Sequence, residues 1–178
     1  MKLEDKELKI INHYGVEAQL DYFPTEIYEL VEAVKDYDCV GCCYDDSEEC
    51  QNIEKQLRKH VIEELADCEM MLDQFELKFE YKGIKGVHIC NDSLQNALKC
   101  LFKDVGIFIQ KVAIHEYESC CYDEPSEFLI AAMVNVKEKL NFIKRYFIIN
   151  QKDIDLIKLE KADRQLRRIE KEKINDAI

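Results

Sequence analysis

The stretch Val61-Ile62-Glu63-Glu64-Leu65-Ala66-Asp67-Cys68-Glu69-Met70-Met71-Leu72-Asp73-Gln74-Phe75 decides the fold. Its apolar residues Val61, Ile62, Leu65, Cys68, Met71, Leu72 and Phe75 continue to Phe79 in steps of three and four, the spacing that lines one face of an α-helix. Leu20, Phe23, Ile27, Leu30, Val31 and Val34 step the same way ahead of it. Only 5 Gly and 2 Pro occur in 178 residues, too few to punctuate the turns of a β-sandwich or barrel. The expected class is all-α, a bundle of about six helices.

Working outward, Pro24 belongs in a first turn or at a kink, which predicts a short helix near residues 16–22 and a longer one beginning at Pro24. Asp38 to Cys50, with Gly41 and Asp45-Asp46-Ser47, reads as a connecting loop, and Lys82-Gly83-Ile84-Lys85-Gly86 as the clearest linker. Asn91 or Asp92 would cap a helix running to about Tyr117, and Ser126 one running to about Asn150. A charged segment from Lys152 to Lys173 carries Ile154, Ile157, Leu159 and Leu166 and completes the count.

Charge is uneven. Residues 1–80 hold 22 acids against 8 bases, whereas the remainder is nearly balanced, and the whole chain carries −12. Such a chain is repelled by a phosphate backbone, so nucleic acid is not an expected partner. No apolar run approaches the ~20 residues of a membrane span, and the amino terminus lacks the apolar core of a signal peptide. A soluble, cytoplasmic protein without a membrane partner is expected. Nine Cys is an odd count that suits reduced thiols. Cys39-x-x-Cys42 with Cys43, Cys50 and Cys120-Cys121 suggests zinc only superficially, because no second C-x-x-C exists and adjacent cysteines point apart.

The chain repeats itself. Cys42-Cys43-Tyr44-Asp45-Asp46 recurs 78 residues later as Cys120-Cys121-Tyr122-Asp123-Glu124. A shift of 79 places Ile10 on Ile89, Asn12 on Asn91, Ala18 on Ala97 and Phe23 on Phe102; a shift of 68 places Ile62 on Ile130, Leu65 on Met133, Leu72 on Leu140 and Phe79 on Phe147. Two diverged copies of a helical hairpin are therefore expected, over residues 1–81 and 87–150, with a closing helix over 152–178 and a loop about ten residues shorter in the second copy.

Carboxylates three apart on a helix share a face. Glu26 and Glu29 form one such pair and Glu64 and Asp67 another, and packed antiparallel they would repel strongly without a cation. Hard divalent ions such as Mg²⁺ favour such oxygen donors. Solvated helix faces carry the same residues, but under the shifts above Glu26 meets Val105, Glu29 meets Phe108, Glu64 meets Ala132 and Asp67 meets Asn135. Apolar replacement points to inward-facing positions.

These residues carry a resemblance. Glu26-x-x-Glu29 followed by Glu64-x-x-Asp67 resembles the E-x-x-E and E-x-x-D signature of the all-α nucleotide pyrophosphohydrolases, the MazG-like and dimeric dUTPase superfamily. Asn12-His13-Tyr14-Gly15, Gln19-Leu20 and Glu63-Glu64-Leu65-Ala66-Asp67 are similar too, and Lys161-x-x-Arg164 with Arg167-Arg168 looks like a Lys/Arg-rich closing helix. The resemblance implies a MazG-like four-helix core and Mg²⁺-dependent hydrolysis, with Mn²⁺ as a substitute, of a nucleoside triphosphate to the monophosphate and pyrophosphate. Glu26, Glu29, Glu64 and Asp67 would hold metal, with Glu26 also the general base; Glu29-x-x-Glu32 fits the first motif by spacing as well, making Glu32 an auxiliary candidate. Gln19 would approach base or sugar, and Lys35, Arg58, Lys161 and Arg164 are candidates for phosphate. Small MazG-like proteins pair subunits to complete the bundle, so the two copies would form a pseudo-dimer with one site per chain, with a homodimer still allowed. The alternative is a catalytically inert helical protein that binds nucleotide or a partner.

Overall fold

The computed structural model describes residues 1–40, 47–81, 93–118 and 125–176. Six helices account for nearly all of them: α1 Leu3–Tyr14, α2 Val16–Val40, α3 Glu48–Lys78, α4 Leu94–Glu118, α5 Glu127–Tyr146 and α6 Gln151–Asp176. α2 and α3 form one hairpin and α4 and α5 another; α2 packs on α4 and α3 on α5, while α1 and α6 lie together against α3. Phe23, Phe75 and Phe108 meet where the hairpins join, with ring centroids 5.3 to 6.2 Å apart and all three fully buried. Such aromatic contacts add about 0.5–1.5 kcal/mol per pair beyond area burial. No helix is long and apolar enough to cross a membrane.

The number six was expected, but the division differs. α2 is unbroken through Pro24, so the anticipated break at Tyr22 does not occur. The proline faces solvent while Phe23 and Ile27 on either side are fully buried, and this anchoring offsets the lost backbone bond. α1, which the periodicity did not announce, supplies the sixth helix. α3 begins at Glu48, capped by Ser47, whose hydroxyl accepts from the Cys50 amide at 3.3 Å, so the connection after α2 is shorter than expected. Ser93, through a hydroxyl that accepts from Asn96, opens α4; Asn91 and Asp92, like the 82–86 linker, Ile89 and the Cys-Cys-Tyr-Asp strings, lie outside the described residues. α5 ends at Tyr146, earlier than Asn150.

Internal correspondence is extensive. α2 and α4 both have 25 residues. Their burial matches at a shift of 78, not 79: Phe23 with Leu101, Leu30 with Phe108 and Val34 with Val112 are all fully buried, whereas Phe102 is exposed. In that register Glu26 falls on Asp104 and Glu29 on Ile107, so one acid of the four persists in the second hairpin. Burial pushes the Asp104 carboxyl up, against the charges of Lys139 and Lys103. Ser47 and Ser126 cap α3 and α5 with the same dihedrals, 79 residues apart. The ends match at 68: Tyr81 N–H donates to Glu76 and Ile149 N–H to Lys144, each at 2.9 Å, with Glu80 at φ 53° and Ile148 at φ 51°. The length difference therefore sits in helix rather than in a loop, since α3 has 31 residues and α5 has 20. Two ion pairs between the hairpins obey the same relation. Glu76 pairs with Lys137 at 2.7 Å and Glu69 with Lys144 at 2.5 Å, and a shift of 68 exchanges one pair for the other.

Ile148 is 85 % exposed in a left-handed conformation, where a β-branched residue is strained. Ile148→Gly is expected to raise stability by about 1 kcal/mol, read as a higher midpoint in urea. The carbonyl that accepts from Arg58 at 3.1 Å is retained in the variant.

Candidate metal centre

α2 and α3 run antiparallel, and their facing surfaces place Glu26 opposite Glu64 and Asp67. One carboxylate oxygen from each lies within 4.8 Å of the other two, and all three residues are partly buried. They form the one such group among the described residues. Hydrophobic neighbours explain the burial: Ile27, Leu65, Ala66 and Cys68, adjacent in sequence to the three acids, are fully inaccessible.

Burial pushes the Glu26 carboxyl up to about 7, reinforced by the charges of Asp67, Glu29 and Glu64 and opposed by Lys161. Glu64 is raised by burial and by Asp67, against Lys161 and His60. Asp67 is raised by burial although Lys161 donates to it and the charges of Lys161 and Arg164 oppose the shift. The cluster thus holds more negative charge than its surroundings compensate. Glu64 Oε1 meets His60 Nε2 at 3.2 Å, but Glu64 Oε2 is buried without a hydrogen-bond partner. Such an orphaned oxygen costs about 1–3 kcal/mol or more if charged.

Three of the four predicted ligands therefore meet. Glu29 is exposed at the margin, close enough for its charge to raise Glu26 and Glu64. Of the four bases, α6 brings two: Lys161 forms an ion pair with Asp67 and donates to the Glu63 carbonyl at 3.2 Å, and the charge of Arg164 acts on Asp67. Arg58 is engaged with the Ile148 carbonyl, and Lys35 lines a separate cavity of about 420 Å³ between α2 and α4 with Val31, Val34 and Leu98. Glu32 is exposed and accepts from the Tyr28 hydroxyl at 2.7 Å. Gln19 is half-buried on α2, seven residues before Glu26 and so on the same face.

Two neighbours were not anticipated. His60 precedes Glu64 by one helical turn, a spacing that was legible. Cys68 is fully buried, and burial pushes its thiol well up, followed by the charges of Glu26, Asp67 and Glu64. Among the described residues, Cys39, Cys50, Cys68 and Cys100 are unbridged thiols.

The donor set is all oxygen, on two rigid helices, with an unpartnered carboxylate oxygen; it fits a hard divalent cation of the Mg²⁺ or Mn²⁺ type. The chain matches no protein-family model, no curated protein and no solved structure.

Proposed function

We propose that the chain hydrolyses a nucleoside triphosphate to the monophosphate and pyrophosphate, using Mg²⁺ or Mn²⁺ held by Glu26, Glu64 and Asp67 with Glu29 at the rim. The observation that carries this reading is the meeting of three partly buried carboxylates, one of which, Glu64, has a buried oxygen without a hydrogen-bond partner. A cation bound there would offset phosphate charge and acidify a coordinated water. The chain's own residues have distinct tasks. Glu26, whose environment disfavours a bare carboxylate, accepts the proton from the attacking water at a carboxylate oxygen. Lys161 orients Asp67, and with Arg164 it sets positive charge beside the cluster where phosphate oxygens would lie. Gln19 offers an amide to the base or sugar.

In this reading the two hairpins are diverged tandem copies forming a pseudo-dimer within one chain, and the second has lost its site. Ile107, Ala132 and Asn135 replace three of the acids, and Lys139 supplies the charge that acts on the remaining Asp104. One site per chain follows.

The test is release of pyrophosphate from a panel of ordinary and modified nucleoside triphosphates, with and without Mg²⁺ or Mn²⁺. Metal-dependent formation of equal amounts of monophosphate and pyrophosphate is expected from at least one substrate. No turnover across the panel with either metal would sink the proposal. A second reading, an inert nucleotide- or partner-binding bundle, is favoured by the ammonium that Lys161 already supplies to Asp67; calorimetric nucleotide binding without product would select it.

A further inference from the structure

The two acids that α3 gives to the cluster are held differently. Asp67 takes its partner from another helix, through the ion pair with Lys161 of α6. Glu64 takes its partner from its own helix: His60 Nε2 lies 3.2 Å from Glu64 Oε1, one turn away. An ionised carboxylate accepts at both oxygens, and the Glu64 side chain is 13 % exposed, so solvent reaches little of it. Lys161 donates to Asp67 and to the Glu63 carbonyl, and Glu64 Oε2 has no hydrogen-bond partner. Among the described residues, His60 is therefore the one donor that meets this carboxylate.

Burial separates this pair from an ordinary surface one. Lys59 and Glu63, one residue earlier, have the same spacing at 3.3 Å, but their side chains are 73 % and 37 % exposed, and such a pair is worth little. In the His60 pair the donor is half-exposed and the acceptor is enclosed with two further acids. The second hairpin links donor and site in the same way. At the shift of 68, Phe128 stands for His60 and Ala132 for Glu64, so the hairpin without this acid lacks the imidazole as well.

We propose that His60 is a positioning residue of the metal centre: it donates from Nε2 to one oxygen of Glu64 and so fixes the direction in which that carboxylate meets a cation beside Glu26 and Asp67. The proposal rests on the metal reading above, but not on the identity of the substrate. A glutamate side chain turns about several bonds, and a ligand that must be ordered on binding gives up that freedom at the expense of affinity. The charges of Glu26 and Glu64 also act against each other, which drives an unheld Glu64 away from the cluster before a cation arrives. The hydrogen bond from His60 opposes both effects. Donation requires the proton on Nε2, and the role belongs to this donor rather than to the aromatic ring, so a glutamine amide reaching over one helical turn can replace it.

The test is titration of Mn²⁺ into the full chain without nucleotide, the free ion being followed by its electron paramagnetic resonance signal. Wild type should bind Mn²⁺ at a site that Glu64→Gln abolishes. His60→Ala should weaken this binding about 10–100-fold, the usual effect of losing a group that orients a metal ligand, and His60→Gln should restore most of it. Lys59→Ala, which breaks the neighbouring surface pair, should bind as wild type does. Circular dichroism without metal should show the same helical content for His60→Ala, His60→Gln and Lys59→Ala. Binding by His60→Ala as tight as wild type or tighter overturns the role of His60 and leaves the metal centre standing. So does a loss that His60→Gln does not repair, or one that Lys59→Ala shares. A wild-type chain that binds no Mn²⁺ overturns the metal reading and the role of His60 with it. The expected order of affinities without pyrophosphate release from any nucleotide upholds His60 and overturns the hydrolytic reading alone.

Discussion

Glu64→Gln is expected to lower turnover at least ~100-fold, about 2.7 kcal/mol of transition-state stabilisation at ~1.36 kcal/mol per tenfold, while leaving the fold intact or slightly more stable. The two effects have one cause. Glu64 Oε2 is buried without a hydrogen-bond partner, and Glu26 and Asp67 stand within 4.8 Å of Glu64, so the carboxylate destabilises the chain when no cation is bound. Glutamine keeps the shape and removes the charge, at the expense of the ligand. Thermal melting without metal should therefore show an unchanged or raised midpoint, and the stabilisation that wild type gains from added Mg²⁺ or Mn²⁺ should be lost. A midpoint several degrees lower would make Glu64 a structural residue, and unchanged turnover would remove the proposed chemistry.

Much of this site was legible because helical spacing is local. Glu26, Glu64 and Asp67 are placed by the same three-and-four periodicity that buries Phe23, Ile27, Leu65 and Cys68 beside them. α1 was not legible because its inward face carries Lys6 and Glu7 next to Ile10 and Ile11, so no apolar stripe marks it. Pro24 misled because a rule about isolated helices was outweighed by the buried contacts on either side of it. The register of the repeat could not be fixed to one residue by identities alone, and burial moved it from 79 to 78. Pairing across distant sequence is the least local property and was invisible. Acids of the first half meet bases of the second: Glu69 with Lys144, Glu76 with Lys137, Asp67 with Lys161 and Asp73 with Lys158. The charge asymmetry that counts against nucleic acid is thus in part the two sides of an internal interface.

Lys158→Met is expected to cost about 3–5 kcal/mol at about pH 8, the usual penalty for removing one partner of a buried ion pair. Lys158 is 3 % exposed in the buried stripe of α6, where it pairs with Asp73 of α3 and stands 3.6 Å from Glu7 of α1, itself 1 % exposed. Burial disfavours its ammonium, but the charges of Asp73 and Glu7 outweigh this and hold it above its ordinary value. For Glu7 burial prevails over Lys158, and the carboxyl rises from 4.5 to about 7. The native state therefore binds more protons than the unfolded chain between about pH 4.5 and 7, and this group's contribution to stability falls as pH rises through that window. Without Lys158 the carboxylate loses the cation opposing its protonation, so the cost of the variant should be largest at high pH and shrink toward about pH 5 as Glu7 takes up its proton. Adding Glu7→Gln to Lys158→Met should recover most of the loss at about pH 8, because Asp73 retains Lys137 at 4.0 Å. Urea unfolding followed by circular dichroism at the two pH values measures both effects. An equal loss at both, or no recovery in the double variant, would mean that Lys158 acts through the packing of its aliphatic stem and not through the charge of Glu7.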